Sequence, residues 1–499
     1  MKNILEMLER SAARFPDKNA FVDDKGAVTY SQLENHSKRI GSALLELGVK
    51  NKPIAIYINK SADVICAMMG IVYSGNIYTV IDTEMPKERI DKIFSTLCPV
   101  AVITDEANSE KAKELNLETF LINEAKSAEI NAERLSEIRS AQIDTDSLYI
   151  LYTSGSTGMP KGTVINHKNV LSYSKWAVET FGISESTVFG NQTPFYFSMS
   201  VTDIYSTLRT GATLIIIPKI CFSFPIKLVE FLNTNEINTI YWVPSAFGIA
   251  ANFKLFDVEK PKYLKTVLFA GEVMPIKFLN YWKKYLPDET VFANLFGPTE
   301  TTDICTYYVA DREFDPSDSL PIGRHCDNCN VFILKEDGSE ADINEEGELY
   351  VRGSFVASGY YNNPEKTAEM FVQNPLNKAF PEACYKTGDL VKMNELGEII
   401  YIGRKDFQIK RMGYRIELGE IEAAAGSLDG VKECACIFRK ETDKIVLYYN
   451  AAKVKENEML DFLKSKLNAY FIPDEVVKMG SLPRNANGKI DRKELEKRI

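Results

Sequence analysis

The sequence predicts an α/β protein: a large N-terminal domain of layered α/β subdomains with a β-rich subdomain, then a small α+β unit toward the C-terminus. Three patterns carry this reading. Apolar runs of strand length alternate with helix-length segments through most of the 499 residues, the rhythm of a sheet layered with helices. From about Ile322 the rhythm changes to short alternating strands with turn glycines, as in residues 347–353. After Arg404 a helix, two strands and a second helix follow closely enough to form one small body.

Taken in order, the opening segment MKNILEMLERSAARF is an apolar run broken by Glu6, Glu9 and Arg10, which reads as an amphipathic helix and not as a signal peptide. Ser31 and Glu34 have the spacing of a capping box. Leu33, Ile40, Leu44 and Leu47 then mark one helix face, and Gly48 closes it. Strands are expected at residues 53–58, 100–103, 148–153, 212–217, 239–243 and 265–269, separated by helix-length segments. In the C-terminal unit helices are expected at 418–428 and 456–467, with strands at 431–438 and 444–449. There are no repeats and no low-complexity segment.

Composition narrows the function classes. With 45% hydrophobic and 26% charged residues the chain has ample material for a core. A net charge of −10, with lysines scattered and not striped, argues against nucleic acid or an anionic membrane surface as partner. No apolar stretch approaches a membrane span. Nine cysteines spread along the chain fit a reducing cytoplasm better than a disulfide framework. The pair Cys326 and Cys329 lacks a second pair of ligands and reads as incidental. His167 stands alone and reads as structural.

The stretch YTSGSTGMPKG, residues 152–162, is too polar for a core. Its glycines let backbone N–H groups face a ligand, its hydroxyls add donors, and Lys161 brings a positive charge, a set suited to a phosphate chain. It follows an expected strand, so it would leave the end of a sheet, where α/β ligands bind. It is not a Walker loop, because Lys161 follows a proline and precedes a glycine. A flexible Ser/Gly linker is the bland alternative. Further on, NLFGPTETT (294–302) offers an aromatic to stack on a purine, a tight turn, and a carboxylate for a divalent cation. YKTGD (385–389) ends in an aspartate suited to a ribose diol, and NGKIDR (487–492) presents a lysine on a glycine turn. Singly, each of these reads equally well as a surface turn.

Their joint order resolves the matter. LYTSGSTGMPKG, LFAGEVMP, NLFGPTETT, YKTGDL, GRKDFQIKRMGYRIELGEIE and NGKIDRKEL resemble, across essentially the whole chain, the adenylate-forming superfamily of acyl-CoA synthetases, luciferases and nonribosomal peptide adenylation domains. Within it the chain is most similar to amino-acid adenylation domains and D-alanine–carrier protein ligases. The resemblance implies two steps: a carboxylate attacks the α-phosphate of Mg-ATP, and a thiol then displaces AMP from the acyl-adenylate.

It also implies roles. Thr153, Ser154, Gly155, Ser156, Thr157, Gly158 and Lys161 would cover the β- and γ-phosphates. Asn294, Phe296 and Gly297 would also bind ATP, with Phe296 stacked on the adenine. Thr299 would lie near the α-phosphate, Glu300 would be the Mg²⁺ ligand, and Asp389 and Arg404 would hold the ribose. Lys489 would align the attack. Asp406 falls at the hinge position, dividing residues 1–405 from a mobile domain of residues 406–499; residues 410–413 would face the incoming phosphopantetheine. The lack of chain beyond Ile499 for a fused carrier implies a free-standing carrier protein as thiol donor, with coenzyme A as the alternative.

The substrate pocket departs from the α-amino-acid pattern. Relatives carry an aspartate for the substrate ammonium in a stretch of type F-D-x-S, and here the stretch reads Phe197-Ser198-Met199-Ser200. Serine cannot neutralise a buried ammonium. The other expected pocket residues are Thr202, Tyr241, Leu268, Ala270, Gly271, Leu295, Asp303 and Ile304. Ala270 stands where D-alanine ligases typically have Cys. Asp303 is the available carboxylate, so a small non-α or non-standard amino acid is expected. An aryl or other amine-free acid, such as a hydroxybenzoate, is the alternative, and a non-catalytic acyl-AMP binding protein a more distant one.

Overall fold

The computed structural model describes residues 1–155, 159–315, 318–405, 408–484 and 490–498. The expected strands assemble into two large sheets. One has the spatial order Glu118–Leu121, Ala101–Thr104, Pro53–Tyr57, Ile77–Val80, Ser147–Thr153 and Lys161–Asn166. Pro53–Tyr57 pairs in parallel with both its neighbours. The strands Pro53–Tyr57, Ile77–Val80 and Ala101–Thr104 are buried along their whole length, as strands covered by helices on both faces must be.

The other sheet has nine strands. Within it Thr213–Ile216, Val188–Asn191, Thr239–Trp242, Thr266–Ala270 and Val291–Phe296 run parallel. Their carboxyl ends therefore share one edge, and so do the loops that leave them. Trp242, Phe247 and Trp282 pack as an aromatic cluster in the core beside this sheet, with Trp282 edge-on to Trp242 at 6.2 Å and tilted against Phe247 at 4.7 Å. The expected β-rich region is a five-stranded sheet built on Cys329–Leu334, Glu346–Gly353 and the long strand Ala383–Met393.

One helix start differs from expectation. The helix is Tyr30–Leu44, and its cap is Thr29, not Ser31: the Thr29 side chain accepts from the Gln32 N–H, and the Gln32 side chain accepts from the Thr29 N–H at 2.9 Å. Two capping patterns overlap in the sequence, and tertiary packing selects the earlier one. Tyr30 is already helical and buried, with its hydroxyl within bonding distance of the carbonyls of Thr207 (2.8 Å) and Ala212 (2.7 Å).

The chain clusters into two compact units, the first made of Met1–Thr83, Cys98–Leu151 and Thr163–Gly403, the second of Glu84–Leu97, Tyr152–Gly162 and Arg404–Ile499. In the second, Gln408–Arg411 and Tyr414–Glu417 form a hairpin whose two turn residues, Met412 and Gly413, have φ of 52° and 78°, the left-handed pair that matches strand twist. The helix Leu418–Gly426 follows, then the antiparallel strands Val431–Arg439 and Lys444–Ala451, and Glu475–Lys478 joins in parallel. The helix Lys87–Leu97 belongs to the same unit. Its Arg89 forms a buried ion pair with Glu420 and lies over the Phe471 ring at 4.8 Å. No helix among the described residues is long and apolar enough to cross a membrane.

Candidate active site

Strand alternation and register bring four of the expected pocket residues onto one sheet face. Tyr241 is in register with Leu268, and Ala270 with Leu295. Leu268 and Ala270 are two residues apart on one strand, so all four side chains stand on the same sheet face. Met199 and Thr202, at the start of the helix Ser200–Thr210, are buried, as is Ile304. Asn294 alternates to the opposite face, where its amide donates to the Pro321 carbonyl at 2.8 Å.

The turn after Val291–Phe296 positions the charged group. A Cβ on Gly297 would come within 2.5 Å of the Asp303 carbonyl oxygen and 2.6 Å of the Ile304 Cα, so only glycine permits the chain to double back this tightly. The Cys305 N–H donates to the Phe296 carbonyl at 2.8 Å. Between them Thr299–Thr301 forms one 3-10 turn, and Thr302 follows at φ 71°, ψ −54°. With the Asp303 N–H donating to the Thr301 carbonyl at 2.8 Å, Thr302 is the centre of a positive-φ γ-turn, a strained shape for a β-branched residue.

Asp303 is 2% exposed. Its Oδ2 accepts from the hydroxyls of Tyr173 at 2.9 Å, Thr202 at 3.0 Å and Tyr241 at 3.1 Å, and the Ser198 hydroxyl lies near enough to favour the charged carboxyl slightly. Burial pushes the carboxyl up to about 6, and these hydroxyls hold it from rising further. The phenols of Tyr173 and Tyr241 are pushed well above their usual range, first by burial and then by the Asp303 charge, so both remain donors.

Other expected residues lie in the same unit. Thr299 Oγ1 donates to Ser198 Oγ at 3.5 Å. Glu300 is fully buried, and one of its carboxylate oxygens accepts from the Tyr360 hydroxyl at 2.6 Å. Phe296 is 5.6 Å, ring to ring, from Tyr401. Asp389 is buried on Ala383–Met393, where its N–H donates to Thr387 Oγ1 at 3.0 Å. Gly271 follows Thr266–Ala270 at φ 88°.

The polar loop belongs to the second unit. Ser154 Oγ donates to the Arg415 carbonyl at 2.7 Å, and Thr153 Oγ1 has no hydrogen-bond partner among the described residues. A Cβ on Gly155 would stand 2.0 Å from the Met159 carbonyl oxygen. Lys161 is buried, with its ammonium 3.9 Å from the buried Glu417 carboxylate. Arg404 ends the strand Ile399–Arg404. Ser156, Thr157, Gly158, Asp406 and Lys489 lie outside the described residues.

Sequence reasoning missed Tyr173 and Glu417. Tyr173 shares a buried helix face with Val170 and Ala177, so its ring reads as core and its hydroxyl passes unnoticed. His167 is a structural residue: burial pushes it down to about 3, and its neutral Nδ1 accepts from the Ile4 N–H at 3.4 Å.

The comparisons with known proteins define the class as adenylate-forming enzymes. The chain belongs to this family: residues 8–361 match the AMP-binding enzyme domain and residues 420–489 the AMP-binding enzyme C-terminal domain. It is 34% identical over 519 residues to L-proline--[L-prolyl-carrier protein] ligase of Pseudomonas fluorescens, covering 100% of both chains. It is 32% identical over 513 residues to D-alanine--D-alanyl carrier protein ligase of Lacticaseibacillus casei, covering 99% of this chain and 98% of that one. The fold is similar, at a TM-score of 0.86 and 21% identity over 99% of this chain and 97% of the other, to the Vibrio cholerae adenylation domain AlmE, solved with glycyl-adenosine-5'-phosphate.

Proposed function

We propose that this AMP-forming ligase activates a small amino acid whose amine is not at the α position, and passes the acyl group to the phosphopantetheine thiol of a separate carrier protein. The observation that carries the substrate reading is Asp303, a buried carboxylate ringed by hydroxyls, in a pocket where the position expected to meet an α-ammonium holds the uncharged Ser198. A buried carboxylate of this kind is costly unless a cation meets it. The carrier reading draws on the full-length relatives, which are named for carrier-protein substrates.

The family roles transfer as follows. Glu300, a buried hard oxygen donor, fits Mg²⁺, which is commonly held by one or two carboxylates together with substrate phosphates. The cation, when bound, supplies neutralisation of phosphate charge. Lys161 and the loop around it would face the β- and γ-phosphates, Phe296 the adenine, Asp389 and Arg404 the ribose. Thr299, bonded to Ser198, would stand between the α-phosphate and the pocket. Lys489 would align the acid carboxylate for attack, and residues 1–405 and 406–499 would move about Asp406 between the two steps. A cytoplasmic site of action accords with nine free cysteines.

The experiment is ATP–pyrophosphate exchange with Mg²⁺ across α-amino, non-α-amino and aromatic acids. The highest kcat/KM is expected for a non-α-amino acid. Preference for an aryl acid, with Asp303→Asn leaving its rate unchanged, overturns the substrate reading. ATP binding without exchange on a broad panel overturns the catalytic one.

A further inference from the structure

Three segments far apart in the chain meet at Asp303, and one of them serves no purpose assigned so far. Tyr173 lies on the helix His167–Phe181. Its ring packs against Trp176 at 5.5 Å and edge-on to Phe355 at 5.3 Å, which fixes where the hydroxyl points. That hydroxyl is 2.9 Å from Asp303 Oδ2 and 2.7 Å from Thr202 Oγ1. Phe355 acts a second time: its carbonyl accepts from Thr302 Oγ1 at 2.7 Å. Thr302 is the strained γ-turn residue immediately before Asp303. Strain of this kind persists only where the surroundings over-determine the shape. Here Phe355 holds the turn from one side while Tyr173, itself braced on Phe355, holds the carboxylate from the other.

We propose that Tyr173 is a specificity-determining positioning residue: braced by Trp176 and Phe355, it clamps Asp303 Oδ2 and so fixes the ionised carboxylate, whose other oxygen lies outside the three-hydroxyl ring, to receive the substrate ammonium. The proposal rests on the reading of Asp303 as the counter-ion. Hydroxyl bonds stabilise a carboxylate more than its acid form, so the clamp sets both the direction of the carboxyl and its ionisation. The titratable groups that face Asp303 are Tyr173, Tyr241, Tyr149, Asp203 and Cys326. Phenols and a thiol shifted upward by burial stay neutral through the working range, and Asp203, which burial pushes up to about 8, is mostly protonated at neutral pH as well.

The test compares kcat/KM for the preferred amine-bearing acid and for an uncharged acid of similar size, across pH, in wild type, Tyr173→Phe, Thr202→Val and Asp303→Asn. Wild-type turnover of the amine-bearing acid should fall below pH about 6. In Tyr173→Phe that limb should move to higher pH, and the amine-bearing acid should lose on the order of tenfold at neutral pH, the scale of one charge-assisted hydrogen bond. The uncharged acid should change by no more than about threefold. An unmoved limb with equal losses for both acids overturns the proposal and leaves Tyr173 a packing residue. If Tyr173→Phe does not fold, Thr202→Val removes a donor from the same ring and must shift the limb in the same direction, and an unmoved limb there overturns the proposal too. Asp303→Asn separates the two ideas. A lost amine preference in Asp303→Asn with none in Tyr173→Phe refutes the clamp alone. No effect of Asp303→Asn refutes the counter-ion reading, and the clamp with it.

Discussion

Asp203 and Asp303 are hidden from water almost equally, at 1% and 2% exposure, yet their surroundings treat the charge differently. Asp303 has a ring of hydroxyls converging on one oxygen. Asp203 has one side-chain donor, Asn191 Nδ2 at 2.7 Å on Oδ2, and its Oδ1 has no hydrogen-bond partner among the described residues. Burial raises the acid range of both, and much more for Asp203, against the pull of the nearby Lys60 charge. Lys60 is lowered by the same burial and raised by Asp203; its ammonium donates to the Gln192 carbonyl at 3.0 Å and sits over the Phe195 ring at 5.3 Å. One carboxylate is thus kept ionisable by hydroxyls that bring no charge. The other meets a single amide and a lysine charge that do not offset its burial, and it is pushed up to about 8. Equal burial therefore leaves one carboxyl ionised near neutral pH and the other largely in its acid form, depending on what supplies the compensation.

Removing the Asp203 side chain should have the largest effect on the fold. Asp203→Ala leaves the buried Asn191 amide without its acceptor and should lower the unfolding free energy by about 2–3 kcal/mol in a denaturant melt at pH 7, whereas an unchanged melt would show that this bond contributes nothing.

Asp303→Asn should act in the opposite sense on the fold. The carboxyl is raised from 3.8 to about 6, so the stability associated with its protonated form is complete below pH about 4 and is lost as pH rises through about 6. Asparagine carries no such loss. The variant should therefore gain about 1–3 kcal/mol over wild type at pH 7 and nothing at pH 4. The same change should remove about 2 kcal/mol of transition-state binding for an amine-bearing acid. A variant less stable at pH 7 than wild type would mean that the hydroxyl ring fully compensates the charge.

Ser198→Asp sharpens the contrast by adding a second carboxylate beside the first. Preference should shift toward small α-amino acids by about 1–2 kcal/mol in relative kcat/KM, and exchange rates on paired α- and non-α-amino acids read it directly. The smallest effect is expected of Tyr241→Phe, which removes one of three hydroxyls on Oδ2 and should cost the amine-bearing acid about 1 kcal/mol; a loss as large as that of Asp303→Asn would show that Tyr241 touches substrate itself.

What the linear chain determined by itself was everything encoded in contiguous wording. The glycine loop ending at Lys161, the turn from Asn294 to Thr302 and the stretch from Tyr385 to Asp389 are each read within about a dozen residues, because polar loops and tight turns are made by neighbours in sequence. Strand positions were legible to within a residue or so, since burial on both faces writes an uninterrupted apolar run. Asp303 itself was singled out from the sequence, and the structure shows it buried.

What only the tertiary structure decided was how that carboxylate is held. Tyr173 is 130 residues away from Asp303, Thr202 is 101 and Tyr241 is 62. In sequence a tyrosine on a buried helix face is indistinguishable from core, because its ring does pack as core while its hydroxyl does something else. The overlapping caps at Thr29 and Ser31 make the same point on a smaller scale. Both satisfy the local rule, and the buried Tyr30 hydroxyl beside the carbonyls of Thr207 and Ala212 selects between them. Local rules assign what a residue is able to do; the directions of side chains brought together across the fold decide which of those abilities is used.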